Sequence, residues 1–511
     1  MDDSAVITVT FMVYFVVMLA IGYIAWLRTK TSADYFLGGR SLGPWSTAMS
    51  AGASDMSGWL LLGLPGYAFA SGLEAFWLAA GLLGGSWLNW LMVARRLRVY
   101  SAVAKDSLTL PEFLANRFND YRGWIQPVSA AFILVFFLFY TSSGLVAGGK
   151  LFESVFGIDY HWALVIGALS VISYTLFGGF LAVCWTDLAQ GLLMSAALLI
   201  VPVMALQVSG GIGVVFHKIS EINPELLNIF TTADGQALSI ITLLSLLGWG
   251  LGYFGQPHIM ARFKAVQSID QLPFARRIAV TWTGVGIFGA LLVGLSGIIY
   301  TRQLGVSLDD PEAIFMLMVN TLFHPVIAGI LLAAILAAIM STADSQLLVC
   351  STAFAEDFYR DMFRPDAPQK EILLVGRCAV VGISIIATVL AMNPESSVLG
   401  LVSYAWAGFG AAFGPVLVLS LYWRRMTARG ALAGIIAGGM TVVVWKQLDG
   451  GLFDLYEIVP GIILSTLAVF LVSLLSPPPG KDVVDCFDKV LCDKAGRESN
   501  ESVDDNEPAI G

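Results

Sequence analysis

Along most of this chain apolar residues do not alternate with polar ones at the period of an amphipathic helix or strand. They run together for lengths that match a bilayer. About 20 consecutive apolar residues make a helix roughly 30 Å long, the thickness of the hydrocarbon core. Runs of this kind fall at 6–27, 42–70, 73–94, 124–149, 161–180, 186–208, 237–257, 278–300, 325–355, 372–392, 398–423, 430–446 and 457–476. They predict an all-α membrane protein of thirteen transmembrane helices. The basic residues test that count, because cytoplasmic loops collect Lys and Arg. With the first loop placed inside, 24 of the 28 basic residues fall on the cytoplasmic side. Lys150, Lys218, Arg302 and Lys446 are left outside. Removing one internal span would destroy this asymmetry, so the N-terminus is expected outside and the C-terminus in the cytoplasm.

Two spans break the pattern. The second contains Ser50-Ala-Gly52-Ala53-Ser54-Asp55-Met56-Ser57-Gly58-Trp59. Its glycines loosen a helix and its serines compete for backbone hydrogen bonds. An aspartate at membrane depth costs roughly 2.5–3.5 kcal/mol on insertion scales. An interrupted helix at the midplane frees carbonyls for a cation and N–H groups for an anionic substrate. The other reading is a small-residue face packed on a neighbouring helix, which leaves Asp55 without a reason. The seventh span contains Trp249-Gly-Leu-Gly-Tyr253-Phe-Gly-Gln-Pro257, with glycines at 248, 250, 252 and 255. Glycines and a proline at this density should open or kink a helix. The two disturbed spans stand five apart, an odd number, so a second half would enter the membrane inverted relative to the first. Trp249 and Tyr253 share a helix face and suit either a substrate wall or ordinary aromatic packing.

A third polar feature lies in span nine, where Ala338, Ser341, Thr342 and Ser345 form a stripe at i, i+3, i+4 and i+7. Neutral hard oxygens suit a small cation that must bind and leave in each cycle. Helix–helix hydrogen bonding is the alternative. Asp187 opens span six, where it would serve an ion exit path or sit at a helix N-terminus that favours negative charge.

Composition narrows the classes. Hydrophobic residues are 57% and charged residues 13% of the 511, and the formal charge is −9. That balance speaks against nucleic acid as a partner. Much of the negative charge lies beyond the Pro477-Pro478-Pro479-Gly480 break. There Val483, Val484, Phe487, Val490 and Leu491 keep helical spacing, before an acidic end expected to be disordered. The five cysteines form no C-x-x-C pair and the four histidines no metal spacing, so no transition-metal site is expected. With no nucleophile–base pair or phosphate loop, an enzyme is disfavoured. A channel would not need a pair of broken helices.

The runs Phe36-Leu37-Gly38-Gly39-Arg40, Ser50 to Trp59, Trp249 to Ile259 and Ala338 to Cys350 resemble the sodium:solute symporters, and within that family the branch that carries L-proline. The likeness extends over nearly the whole chain except the tail. It implies a LeuT-like core of two five-helix inverted repeats, spans 2–6 and 7–11. The chain then divides into a first helix and loop (1–41), a first repeat (42–208), an extracytoplasmic loop (209–236), a second repeat (237–424), two last helices (425–476) and an acidic cytoplasmic tail (477–511). The resemblance implies sodium held by the carbonyls of Ala53, Met56 and Ala338 and the hydroxyls of Ser341 and Thr342. Asp55 and Asp187 are implied to be linked to sodium. It implies an L-proline site near Ser57, Gly58, Trp59, Tyr140, Trp249, Tyr253 and Pro257, and a cytoplasmic-side role for Arg40 and Arg377. Sodium is the expected coupling ion, one per proline, with no organic cofactor, no nucleic acid and no obligatory protein partner. The expected location is a bacterial inner membrane. Asp344 and Ser345 are positions that are not fixed across the proline-carrying branch, and the resemblance implies that other branches use the span-nine stripe and Asp187 for a second sodium. Pantothenate, a monocarboxylate or a sugar on the same fold is the alternative cargo.

Overall fold

The structure, a computed structural model, describes residues 3–27, 37–175, 179–360 and 362–491. The acidic end from Cys492 onward, the loop charges Arg28 and Lys30, and Phe36 lie outside the described residues. The chain is helical; the β pairing among described residues consists of isolated bridges, Leu42 with Val266 and Thr231 with Ala237.

Helix α1 (Asp3–Trp26) precedes the first interrupted segment. There α2 (Pro44–Ala53) ends, the backbone leaves the helix, and a wide turn (Trp59–Gly63) leads into α3 (Leu64–Ser71). A tight turn then starts α4 (Ala75–Asn89), which a second wide turn (Trp90–Ala94) joins to α5 (Arg95–Val103). Helix α6 (Leu110–Phe118) carries a capping box between Thr109 and Glu112, in which side chains satisfy helix-end N–H groups that would otherwise lack partners. Then come α7 (Ile125–Phe156), α8 (Tyr160–Thr175), α9 (Phe180–Val208) and α10 (Ile212–Ile222). The second interrupted segment is α11 (Ile240–Gly248), a 3-10 stretch (Trp249–Gly255) and α12 (Pro257–Ala265). The remainder is α13 (Leu272–Leu304), α14 (Ile314–Leu322), α15 (Pro325–Thr352), α16 (Gln369–Leu390), α17 (Val398–Tyr422), α18 (Ala428–Trp445), α19 (Ile458–Leu475) and α20 (481–491).

Among the described residues, ten helical stretches are long and apolar enough to cross a membrane. Expected span three and the later part of span two fall within one of them, Trp59–Val103, where only the tight turn Gly72–Glu74 separates α3 from α4. Expected spans five and seven correspond to shorter apolar helices, Tyr160–Ile172 and Ile240–Gly255. Other segments between the expected spans carry helices as well, as α6 does between spans three and four. In 209–236, α10 buries Val215 and Ile219 against Leu295 and Ile298 of α13. Between spans eight and nine, α14 packs on α13 and α15. The spacing expected of the tail helix is seen in α20, with Val483, Phe487 and Val490 buried, though Leu491 faces outward.

Helix α15 is the axis of the molecule. Its apolar window is 83% buried, against 22% for α1, and it packs on α1, α7 and α9. The 3-10 stretch Trp249–Gly255 is clamped between α4 and α17. Its glycines are there for closeness. A Cβ on Gly250 would stand 2.1 Å from the Gly81 carbonyl oxygen, and one on Gly252 would stand 1.9 Å from Trp406 Nε1.

Candidate functional site

The interruption in the first segment re-routes one carbonyl. In a continuous helix the Ala53 oxygen would accept from the Ser57 N–H. Here that N–H donates to the Asp55 carbonyl instead, at 3.0 Å. The Ala53 oxygen faces α15 and accepts from Ser341 Oγ at 2.9 Å and Thr342 Oγ1 at 3.3 Å. Ser341 Oγ also lies 3.2 Å from the Ala338 carbonyl oxygen. Four of the five oxygens expected to hold sodium therefore converge between α2 and α15, with Met56 in the same opened turn, and all five residues are buried. The cluster carries no formal charge, and its hydroxyls can turn their lone pairs toward an entering cation. Such an oxygen set suits a small hard ion held weakly enough to leave.

Asp55 is the hub of a second cluster. Tyr253 donates to its Oδ2 at 2.7 Å. Tyr140 donates to its backbone carbonyl at 2.9 Å and Trp59 Nε1 to the same oxygen at 3.0 Å. Its Oδ1 is buried without a hydrogen-bond partner, an arrangement that costs free energy unless an ion or donor arrives. Trp59, Tyr140 and Tyr253, from three separate elements, thus meet at one residue beside the oxygen cluster. Ser57 stays local, its Oγ accepting from the Trp59 N–H at 3.4 Å. Gly58 lets the turn close on α7, since a Cβ there would lie 2.7 Å from that of Ala147. Trp249 stacks on Tyr456 at 5.3 Å, and its carbonyl accepts from Trp406 Nε1 at 2.7 Å. Pro257 begins α12 and lines a separate cavity of about 40 Å³ beside Lys264 and Asp357.

Asp187 lies neither in a loop nor in the first turn of its helix. It is fully buried, and its Oδ2 accepts from Ser50 Oγ at 2.6 Å and pairs with Arg262 Nη2 at 3.3 Å. Arg262 also donates to Ser50 Oγ at 2.9 Å and to Ser345 Oγ at 2.5 Å. Arg262 is one of the 24 basic residues that the apolar runs leave on the cytoplasmic side, yet it is no loop charge: α12 carries it into the core, where it is fully buried. A buried guanidinium needs such partners to offset desolvation. Trp406 was likewise missed. It is buried, it meets Tyr253 edge-on at 5.0 Å, and its indole holds the Trp249 carbonyl. The usable signal for Arg262 was the apolar run Ile259 to Phe263, which it interrupts.

Arg40 knits the basic end of the bundle. It pairs with Asp106 at 2.6 Å and donates to the Lys264 carbonyl at 2.9 Å, beside the Leu42–Val266 bridge that joins the entry of α2 to the exit of α12. Arg377 is exposed on α16 and belongs to neither cluster.

Comparisons with known proteins bear on the family and the fold. The profile of the "Sodium:solute symporter family" matches residues 35–438. The chain is 53% identical over 92% of its length to the "High-affinity proline transporter PutP" of Bacillus subtilis, 98% of which is covered. It is 50% identical over 94% of its length to the "Sodium/proline symporter" of Escherichia coli, 95% of which is covered. Among solved structures, a sodium-coupled sialic acid symporter in a substrate-bound outward-open state superposes with a TM-score of 0.77 at 21% identity, over 93% of this chain and 99% of that one. Mhp1, a nucleobase-cation-symport-1 family transporter in a closed conformation, superposes at 0.54 and 14% identity, over 90% of this chain and 99% of that one. At these identities the two structures speak for the fold alone.

Proposed function

Because this chain belongs to the sodium:solute symporter family, we propose that it takes up L-proline coupled to sodium by alternating access. The observation that carries the reading is the junction of α2 and α15, where an interrupted helix offers a freed carbonyl to two hydroxyls beside a buried aspartate. High identity over nearly full length to transporters named for proline supports the cargo over pantothenate, a monocarboxylate or a sugar.

In this reading the thirteen apolar runs are thirteen spans, with the N-terminus outside and the C-terminus in the cytoplasm of a bacterial inner membrane. Spans 2–6 and 7–11 are the inverted repeats. Sodium enters among the oxygens of Ala53, Met56, Ala338, Ser341 and Thr342, whose hydroxyls turn from the Ala53 and Ala338 carbonyls to the ion. Held there, the ion ties the opened turn at 54–58 to α15 and orders it. Proline then binds against Ser57, Gly58 and the aromatic groups around Asp55, with Trp249 and Trp406 behind them. All of these residues are buried, which suits a site that water reaches only after a conformational change. The Leu42–Val266 bridge and Arg40 hold the inner end shut until the repeats rock apart.

One charge crossing about 100 mV releases about 2.3 kcal/mol, and a tenfold sodium gradient adds about 1.4 kcal/mol. Together they sustain a proline ratio of a few hundred, roughly. The test is uptake of radiolabelled L-proline into proteoliposomes with and without an inward sodium gradient. Accumulation above equilibrium that needs sodium supports the reading. Uptake of another family cargo in place of proline, or uptake indifferent to sodium, would refute it.

A further inference from the structure

At the basic end of the bundle, the wide turn Trp90–Ala94 opens beside a cavity of about 250 Å³. A bulge of this kind spends helix hydrogen bonds and recurs at functional sites. Three arginines line the cavity, Arg95, Arg96 and Arg276, and no acidic residue does. Among the described residues none of the three forms an ion pair. Arg96 is fixed in place, donating to the Leu421 carbonyl at 3.0 Å and lying 3.7 Å over the Tyr422 ring. The rest of the lining is largely apolar, including Leu91, Leu272 and Leu491. Leu91, in the lining, is 47% exposed, and Phe274, next in sequence to Pro273 of the lining, is 48% exposed.

We infer that this cavity is a binding site for one anionic phospholipid of the inner leaflet. Its phosphate is held by Arg95, Arg96 and Arg276, and its acyl chains run down the apolar surface of Leu91 and Phe274. Two features select this occupant. Three unpaired guanidinium groups around one opening call for a multivalent oxyanion, and Arg is the residue suited to phosphate. The apolar walls and flanking exposed side chains call for an amphiphile rather than a free ion, as in basic pockets between helices at a cytoplasmic face. A larger cavity nearby, about 390 Å³, serves as the contrast. It sets Arg122 and Arg429 among Asp120 and Asp482, and its mixed charge offers an anion no advantage. Val490 and Leu491 of α20 form one wall of the phospholipid cavity, so its occupancy also bears on where α20 sits.

The test is native mass spectrometry of the full chain in mild detergent, with added phosphatidylglycerol, phosphatidylcholine or inorganic phosphate. The expected result is retention of phosphatidylglycerol over phosphatidylcholine, with no displacement by millimolar phosphate. Arg95→Gln with Arg276→Gln should weaken retention about thirtyfold, from about 1 kcal/mol for each arginine at a membrane surface. Arg95→Lys with Arg276→Lys should keep most of it, which separates lost charge from lost fold. Arg122→Gln with Arg429→Gln should leave it unchanged. Equal retention of the two lipids, or undiminished retention of phosphatidylglycerol by Arg95→Gln with Arg276→Gln, would overturn the site. So would displacement by phosphate, which would make it a simple anion site. Retention gained only when the chain is ended after Leu491 would give the cavity to the chain's own acidic end.

Discussion

The two interrupted segments look alike in sequence and do different work. At Ser50–Gly63 the backbone departs from the helix so that an oxygen can be offered sideways. The Ala53 carbonyl loses its helical donor and gains two hydroxyls from α15. At Trp249–Gly255 the glycines admit other backbones. Gly250 meets Gly81 and Gly85 of α4, Gly252 meets Trp406, and Gly255 meets the Phe409 carbonyl. The first segment is thus suited to bind and the second to be gripped between α4 and α17. The Asp55–Tyr253 hydrogen bond, at 2.7 Å, joins the opened turn to the clamped 3-10 stretch, and we propose that a change at the candidate ion junction reaches the second segment through it.

That contrast can be broken from its rigid side first. Gly252→Ala places a methyl group 1.9 Å from Trp406 Nε1 with fixed helix on both sides. Overpacking here should cost about 3 kcal/mol or more. The expected outcome is little monodisperse protein on size-exclusion chromatography of the detergent extract. Normal yield would mean that the second segment yields as readily as the first. On the binding side, Asp55→Asn keeps the shape and removes the charge. A charged hydrogen bond contributes about 1.5–3 kcal/mol, so the sodium concentration for half-maximal proline uptake should rise about tenfold or more, with protein yield retained. A smaller expected effect is that of Tyr253→Phe, which removes the hydrogen bond from the 3-10 stretch to the Asp55 carboxylate and leaves the carboxylate in place. At about 1.5 kcal/mol, the low end for a bond to a charged group, half-saturation for proline and for sodium should each rise by no more than about tenfold. A rise in only one of them would show that the segments are not coupled through this hydroxyl.

Much of the architecture could be read from the chain, because bilayer-length apolar runs and basic loops are one-dimensional signals. The position of the candidate site was readable for the same reason. An aspartate and a hydroxyl stripe stand out against an apolar background, and the structure brings Ala53, Ala338, Ser341 and Thr342 together. What the sequence hid depends on three-dimensional proximity. Nothing local says that the glycines of the second segment face backbone rather than open a path. Arg262 read as a loop charge, because the break at Gln256 conceals that α12 carries it inward to Asp187 and Ser345. Helices α10 and α14 fell in stretches too short and too mixed to stand out from loop.

The most direct measurement compares Thr342→Ser with Thr342→Ala in sodium titrations of proline uptake by proteoliposomes. If the hydroxyl oxygen at the α2–α15 junction holds the ion, Thr342→Ser should keep the wild-type sodium dependence. Thr342→Ala should shift it about tenfold, the worth of roughly one hydrogen-bond-strength contact, with proline half-saturation at saturating sodium little changed. Sodium dependence left unchanged by Thr342→Ala would contradict placing the ion between α2 and α15.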